Sequence, residues 1–303
     1  MQLHSGEFLG WPAWTLRHGE LALQVVPDIG GRLMGIECAG TQLCFIHPQL
    51  AGEQASDDPQ VWERLCGSWS FPLWGGGKTW VAPETAWPEG NPHRDLDSGR
   101  YTVLQTWVDD SSAGIELLSP VCRQSGLRIR RKITLQAQTQ SWTVQHTLSN
   151  TGDGVVPCGI WDVLMLRRAG QVVVDLGDSR DEPFRAIAGQ GSLEDLTRQE
   201  LIAVDAGNAL VRCEHGQQFK VGLGGGTGLA RVRLDLPEGR YQYWRFAPVV
   251  PGTAAQAYAH GHPTEVFNAP DLPYFEIESH SPKIDLLPGR SISYTLTEGV
   301  SRG

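Results

Sequence analysis

Pro273-Tyr-Phe-Glu-Ile-Glu-Ser-His-Ser-Pro-Lys-Ile-Asp-Leu-Leu-Pro-Gly289 sorts itself when read at a period of two. Phe275 and Ile277 fall on one face of a strand; Tyr274, Glu276, Glu278 and His280 fall on the other. A strand with one apolar face, and with two carboxylates, an imidazole and a phenol on its second face, suits the wall of a polar-ligand cleft. The same pattern also suits a charged sheet surface facing water. Leu287-Pro-Gly289 then turns the chain into a last strand, where Ile292, Tyr294 and Leu296 alternate with Ser291, Ser293 and Thr295.

Working outward, the same alternation recurs along the chain. Leu21, Leu23 and Val25 share a face, Pro27-Asp-Ile-Gly-Gly31 turns, and 32–37 pairs back as a hairpin. Glycines at 30 and 31 allow positive φ or a bulge, which would aim Arg32 at a cleft or leave it a surface charge. Residues 101–108, 114–118, 127–135, 142–148, 158–167, 172–176, 209–213, 218–223, 229–236 and 240–247 read as further strands. In 127–135, Leu127, Ile129, Ile133 and Leu135 alternate with Arg128, Arg130, Lys132 and Thr134. Tyr241, Tyr243 and Arg245 share one face of their strand. His146 shares a face with Trp142, Val144 and Leu148, as a core histidine with a hydrogen-bond partner does. Residues 47–70 read as a loop with a short helix near 61–65, and 177–200 as a polar excursion from the sheets with a helix start at Ser192.

The totals agree with an all-β chain. Of 303 residues, 36 are Gly and 19 Pro, which fits many strands and turns rather than long helices. No composition break or internal repeat divides 1–303, so one domain is expected. A net charge of −9 and a pI near 5.5 repel polyphosphate and anionic membranes, so nucleic acid and membrane are not the expected partners. No apolar run reaches the ~18 residues of a membrane span. The N-terminus, Met-Gln-Leu-His-Ser-Gly-Glu-Phe, has neither a basic nor an apolar leader region. Cys38, Cys44, Cys66, Cys122, Cys158 and Cys213 are scattered without Cys-x-x-Cys pairs, which implies buried, reduced thiols in a cytoplasmic protein and no cysteine-based zinc site.

Two glycine-rich stretches imitate nucleotide motifs and fail on spacing. Gly75 to Thr79 resembles the end of a phosphate loop, but the motif's first Gly would fall at Pro72. Gly222-Leu-Gly-Gly-Gly-Thr-Gly228 places Thr or Leu where a dinucleotide fingerprint needs its third Gly, and no βαβ unit surrounds it. The first stretch reads better as a loop presenting Lys78, Trp80 and Glu84. Trp74, Trp80 and Trp87 offer flat faces suited either to a sugar ring or to simple packing. Trp161 and Asp162 lie on the strand 158–167, and His93 lies in a polar loop. His260 and His262, at i and i+2, form a metal pair only if Glu265 joins them; loop histidines without that role are commoner, and no metal or cofactor is assigned.

Val26-Pro-Asp-Ile-Gly-Gly-Arg-Leu33 resembles the opening hairpin of galactose mutarotase-like proteins, the aldose 1-epimerase superfamily. Tyr274-Phe-Glu-Ile-Glu-Ser-His-Ser-Pro282, with Leu286-Leu-Pro-Gly289, resembles that superfamily's catalytic-glutamate strand and exit turn. Gly76-Gly-Lys-Thr-Trp-Val-Ala-Pro-Glu84 is similar to an uncharacterised bacterial branch of it. The resemblance implies a β-supersandwich around a sugar cleft, a small carbohydrate as ligand, and Glu278 as general base. The segment that carries the superfamily's acid His reads Gly159-Ile-Trp-Asp-Val-Leu164 here, so Asp162, His93 or His280 is the expected substitute acid. Arg32, Lys78, Trp80, Glu84, Trp161, Tyr274, Glu276 and His280 are the expected sugar contacts. The alternatives are a sugar-binding protein without catalysis, or another epimerase, lyase or hydrolase.

Overall fold

The computed structural model describes residues 1–177, 182–187, 189–224, 226–250 and 254–303. Parts of the polar segment 177–200, of the glycine run 222–228 and of the loop before His260 therefore lie outside the described residues. Among the described residues the strands gather into a 12-stranded and a 10-stranded antiparallel sheet. The first sheet runs from Gln2–Phe8 through Trp11–His18, Leu21–Val26, Arg32–Cys38, Gly77–Ala82, Val156–Arg167, Tyr274–His280, Thr264–Asn268 and Phe219–Leu223 to Phe184–Ala186, with Thr41–Gln42 pairing Arg32–Cys38 and Ile284–Leu286 pairing Val156–Arg167 off this path. The second runs from Ile202–Asp205 through Asn208–Cys213, Gly170–Asp175, Leu229–Leu236, Gly239–Phe246, Ser291–Arg302, Ser141–Asn150, Leu127–Gln136 and Ser112–Leu118 to Thr102–Val108. No described helix is long and apolar enough to cross a membrane.

The two sheets bury their apolar faces against each other. Ile36, Val81, Leu164, Val221, Val266, Phe275 and Ile277 from the first sheet pack with Ile129, Ile133, Val144, Val232 and Leu296 from the second. Burying each such side chain contributes ~1.5–3 kcal/mol. Ile277→Val, which removes one methyl from this interior, is expected to cost about 0.5–1.5 kcal/mol. That loss should appear as a lower urea midpoint at unchanged slope; an unchanged midpoint would contradict the packing. Gly170 shows how close the packing is: a Cβ there would lie 2.6 Å from the Phe275 ring.

The structure departs from the sequence expectations at several points. The stretch read as a Lys78-bearing loop is the strand Gly77–Ala82, buried along its whole length. The supposed excursion after 177 returns to the first sheet at Phe184–Ala186, which pairs with Phe219–Leu223. Its helix start is as expected: Ser192 caps Leu193–Arg198 by accepting from the Asp195 amide. Arg131 is buried on the apolar face of its strand, where its Nη1 donates to the Gly31 and Gly77 carbonyls. All six cysteines are free and buried.

All seven residues of Tyr274–His280 are buried. Phe275 and Ile277 face the second sheet, so Tyr274, Glu276, Glu278 and His280 lie on the first sheet's outer face. That face is covered by loop residues rather than water: Phe45 and Leu73 pack on Tyr274, while Phe71, Trp87 and Ala259 pack on Trp80 and Trp161.

Candidate functional site

Strand order gathers side chains that are remote in sequence. Tyr274–His280 lies between Val156–Arg167 and Thr264–Asn268, with Trp161 opposite His280, Val163 opposite Glu278, and Glu265 opposite Glu278 on the other side. Gly77–Ala82 adds Trp80 opposite Trp161, and Phe219–Leu223 adds Lys220 opposite Phe267. The register thus lays Lys78, Trp80, Trp161, Glu276, Glu278, His280, Glu265 and Lys220 across one face. Above it opens a cleft of about 400 Å³, lined by Glu84, Arg185, Lys220, His260, His262 and Glu265, with Ala186 and Ile187.

Charge organises the cleft floor. Lys220 Nζ bridges Glu265 Oε2 at 2.6 Å and Glu278 Oε2 at 3.0 Å, and lies 4.7 Å from the Trp161 ring centroid. The Trp161 indole donates to Glu278 Oε2 at 2.7 Å, which leaves Glu278 Oε1 buried without a hydrogen-bond partner. Burial raises the Glu278 pKa well above the usual carboxylate range, against the pull of Lys220, and Glu265 and Glu276 raise it further. Glu265 moves the other way. Burial pushes it up, but His280 and Lys220 outweigh that and hold it well below its usual value. Lys220 is disfavoured as a cation by burial, yet its two carboxylates raise its pKa. Next to them, Lys78 sits 3.3 Å from Glu276 and 3.7 Å from the Trp80 centroid, with burial lowering its pKa.

Three imidazoles surround Glu265 Oε1: His262 Nε2 at 2.6 Å, His260 Nδ1 at 2.8 Å and His280 Nε2 at 3.4 Å. His260 also places Nε2 3.1 Å from Glu84 Oε2. Burial disfavours charge on His260, but Glu265 and Glu84 outweigh it and hold its pKa up at about 9. His280, 1% exposed, is pushed down to about 4 by burial. His262 fits because residue 222 is Gly: a Cβ there would lie 2.4 Å from the His262 ring nitrogen. Backbone bonds from His280 N to Pro263 O and from Lys283 N to Ala257 O hold the histidine loop on the strand, and Arg185 Nη1 donates to Gly261 O.

A buried aromatic cluster runs beside the cleft. Trp87 stacks on Trp161 at 5.5 Å, Trp161 stacks on His280 at 5.3 Å, and Trp80 meets both Trp87 and Trp161 edge-on at 5.0 Å.

Of the expected residues, Glu278, Glu276, His280, Trp161, Trp80 and Lys78 share this face, and Glu84 lines the cleft. Tyr274 shares the face but stacks on Phe45 at 4.9 Å, inside an apolar cluster. Three expectations are corrected. Asp162 points between the sheets, because its neighbours Trp161 and Val163 take the outer face. It pairs there with Arg245 at 2.8 Å and His146 at 3.2 Å, so it is not a substitute acid. His93 lines a separate crevice with Pro83, Trp87 and Pro157, away from the Glu278 face. Arg32 is 1% exposed; it pairs with Asp97 at 2.7 Å and donates to Gly75 O, and Asp97 accepts from the Trp80 indole. Arg32 therefore braces the aromatic cluster from behind. Arg245 is likewise enclosed between the sheets. Trp74 is fully buried in a second apolar cluster and does not face the cleft.

Lys220 and Arg185 were not singled out by sequence, and Glu265 only as a conditional partner of the histidine pair. The readable signal for two of them is a single charge inside an apolar strand, Phe219-Lys-Val-Gly-Leu223 and Thr264-Glu-Val-Phe-Asn268. Their convergence requires the strand order.

No protein-family model matches the chain, and no curated protein matches it. Solved structures do. A galactose mutarotase-like protein from Clostridium acetobutylicum aligns over 100% of this chain and 99% of its own, with a TM-score of 0.62 at 10% identity. A galactose mutarotase-like protein from Lactobacillus casei aligns over 95% and 100%, with a TM-score of 0.59 at 9% identity. A proposed aldose 1-epimerase from Escherichia coli K12 aligns over 96% and 99%, with a TM-score of 0.57 at 16% identity. With its two antiparallel sheets, its face of buried carboxylates and near-complete alignment to these structures, the chain has the galactose mutarotase-like fold.

Proposed function

We propose that the chain binds a small carbohydrate in the cleft beside Glu278 and interconverts its anomers by acid–base ring opening. The observation that carries this reading is the convergence of Glu278, Lys220 and Glu265 below the cleft, beside the buried indole cluster of Trp161, Trp80 and Trp87. Charged groups that line a cleft bind sugar hydroxyls, and here Trp161 orients them by donating to Glu278 and lying beside Lys220. Glu278 Oε1, buried and without a partner, suits a proton acceptor awaiting a hydroxyl. It would take the proton of the anomeric hydroxyl as the bond from C1 to the ring oxygen breaks. The ring oxygen would gain a proton from His260, which lines the same cleft with Glu84 on its Nε2. Rotation about C1–C2 and closure on the other face then return both protons and complete the exchange.

A second reading, sugar binding without turnover, is favoured by Trp161. It occupies the cleft face of the segment in which the resembled enzymes carry their acid His. One experiment separates the two. Monosaccharides, uronic acids and short oligosaccharides are titrated calorimetrically, and freshly dissolved α-anomers are followed by polarimetry with and without protein. Binding with accelerated approach to anomeric equilibrium supports the isomerase. Binding at the uncatalysed rate selects the binder, and no binding across the panel removes both.

A further inference from the structure

We propose that His260, His280 and Glu265 form a binding site for one divalent first-row transition-metal ion, with His262 hydrogen-bonded beside them to Glu265. One donor atom from each of His260, Glu265 and His280 lies within 4.8 Å of the others. The three imidazole nitrogens stand 2.6, 2.8 and 3.4 Å from one carboxylate oxygen. Ligands held at about 2.1 Å from a common ion are separated by about 3.4 Å when tetrahedral, so donor atoms that all lie within 4.8 Å of one another reach a common ion by side-chain adjustment. Hydrogen bonding alone does not account for the arrangement. His280 is 1% exposed, and neither ring nitrogen has a hydrogen-bond partner, though Nε2 is directed at Glu265. A buried, unpartnered imidazole is costly unless something fills its lone pair.

The surrounding groups match what orients metal ligands elsewhere. Glu84 sits on His260 Nε2, which leaves Nδ1 for the ion. Lys220 sits on Glu265 Oε2, which leaves Oε1. Trp161 stacks on His280 and fixes its ring plane. Imidazoles with one carboxylate suit zinc, iron, cobalt, nickel or manganese, and the absence of thiolate donors disfavours copper(I). His260, His262 and Glu265 also line the open cleft, so one coordination position would face any bound ligand. An ion there would polarise a sugar oxygen as a Lewis acid. The site stands without the sugar reading, because ion binding is measured directly.

The test starts with full-length chain stripped by chelator and dialysed. Cobalt(II) is titrated while visible absorption and heat are recorded, and metals that co-purify with unstripped chain are quantified by mass spectrometry. One equivalent per chain, with a visible band from nitrogen and oxygen ligands, is expected. His260→Ala should weaken binding by at least about 100-fold. Glu84→Ala, a change at a half-exposed residue outside the ligand set, should weaken it by about 10–100-fold. Circular dichroism checks that each variant is folded, and Glu84→Ala carries the test if His260→Ala does not fold. Sub-stoichiometric binding by the native chain, or unchanged affinity in a folded variant, overturns the site. Either result leaves sugar binding to be judged by its own titration.

Discussion

Glu278→Gln is expected to slow anomer interconversion by about 10²–10⁴-fold, the usual contribution of a positioned general base, while sugar affinity changes by only a few-fold. The substitution preserves size and one acceptor oxygen, so the Trp161 indole keeps a partner for the bond it now makes to Oε2. It removes the carboxylate that would accept the anomeric proton. A fall in turnover without a matching loss of binding separates a chemical role from a structural one. Magnetisation exchange between the two anomeric proton signals, with native and variant protein, measures the rate directly. Activity within a few-fold of native would remove Glu278 from the mechanism.

Arg245→Met is expected to cost about 3–5 kcal/mol of folding stability, against typical totals of about 5–15 kcal/mol. Arg245 is 2% exposed and binds two interior carboxylates, Asp162 at 2.8 Å and Glu298 at 2.6 Å. Its Nε also donates to Glu298 Oε1, and its Nη1 donates to the Ile277 carbonyl. The ion pair therefore crosses between the sheets behind the strand that bears Glu278. Methionine fills the volume but leaves both carboxylates without their main cation, and breaking such a pair is far costlier than never having built it. A urea midpoint within about 1 kcal/mol of native would contradict this.

The same network sets an acid limit. Burial raises the Asp162 pKa, but Arg245 and His146 outweigh it and hold it at about 2. An unfolded Asp titrates near ~3.9, so the folded state binds fewer protons in this range. The stabilisation from Asp162 is complete above about pH 4 and is lost as pH falls towards 2. Removing Arg245 should move acid unfolding to higher pH.

These two residues also show where sequence reading stops. Alternation assigned Tyr274, Glu276, Glu278 and His280 to one face, and the strand carries them so, because a period of two survives whatever lies above the sheet. It equally grouped Tyr241, Tyr243 and Arg245. What it lacked was the sign of the face: Asp162 and Arg245 point into the interior, and polarity alone argued the opposite. Gly77–Ala82 was missed as a strand for a related reason. It is buried on both sides, Lys78 and Trp80 on one and Thr79 and Val81 on the other, so no polar–apolar rhythm marks it. The cluster of His260, His262, Glu265 and His280 is legible as four polar residues but not as a site. Its geometry comes from a backbone loop held against the strand edge, and from Lys220 and Glu265 arriving on neighbouring strands.

A crystal of the full chain soaked with a reducing monosaccharide that binds in calorimetry is the most direct measurement. The ring is expected in the cleft lined by Lys220, Glu265 and His260, with its anomeric hydroxyl within hydrogen-bond reach of Glu278. Sugar bound elsewhere on the chain, with the Glu278 face closed to it, would contradict the account.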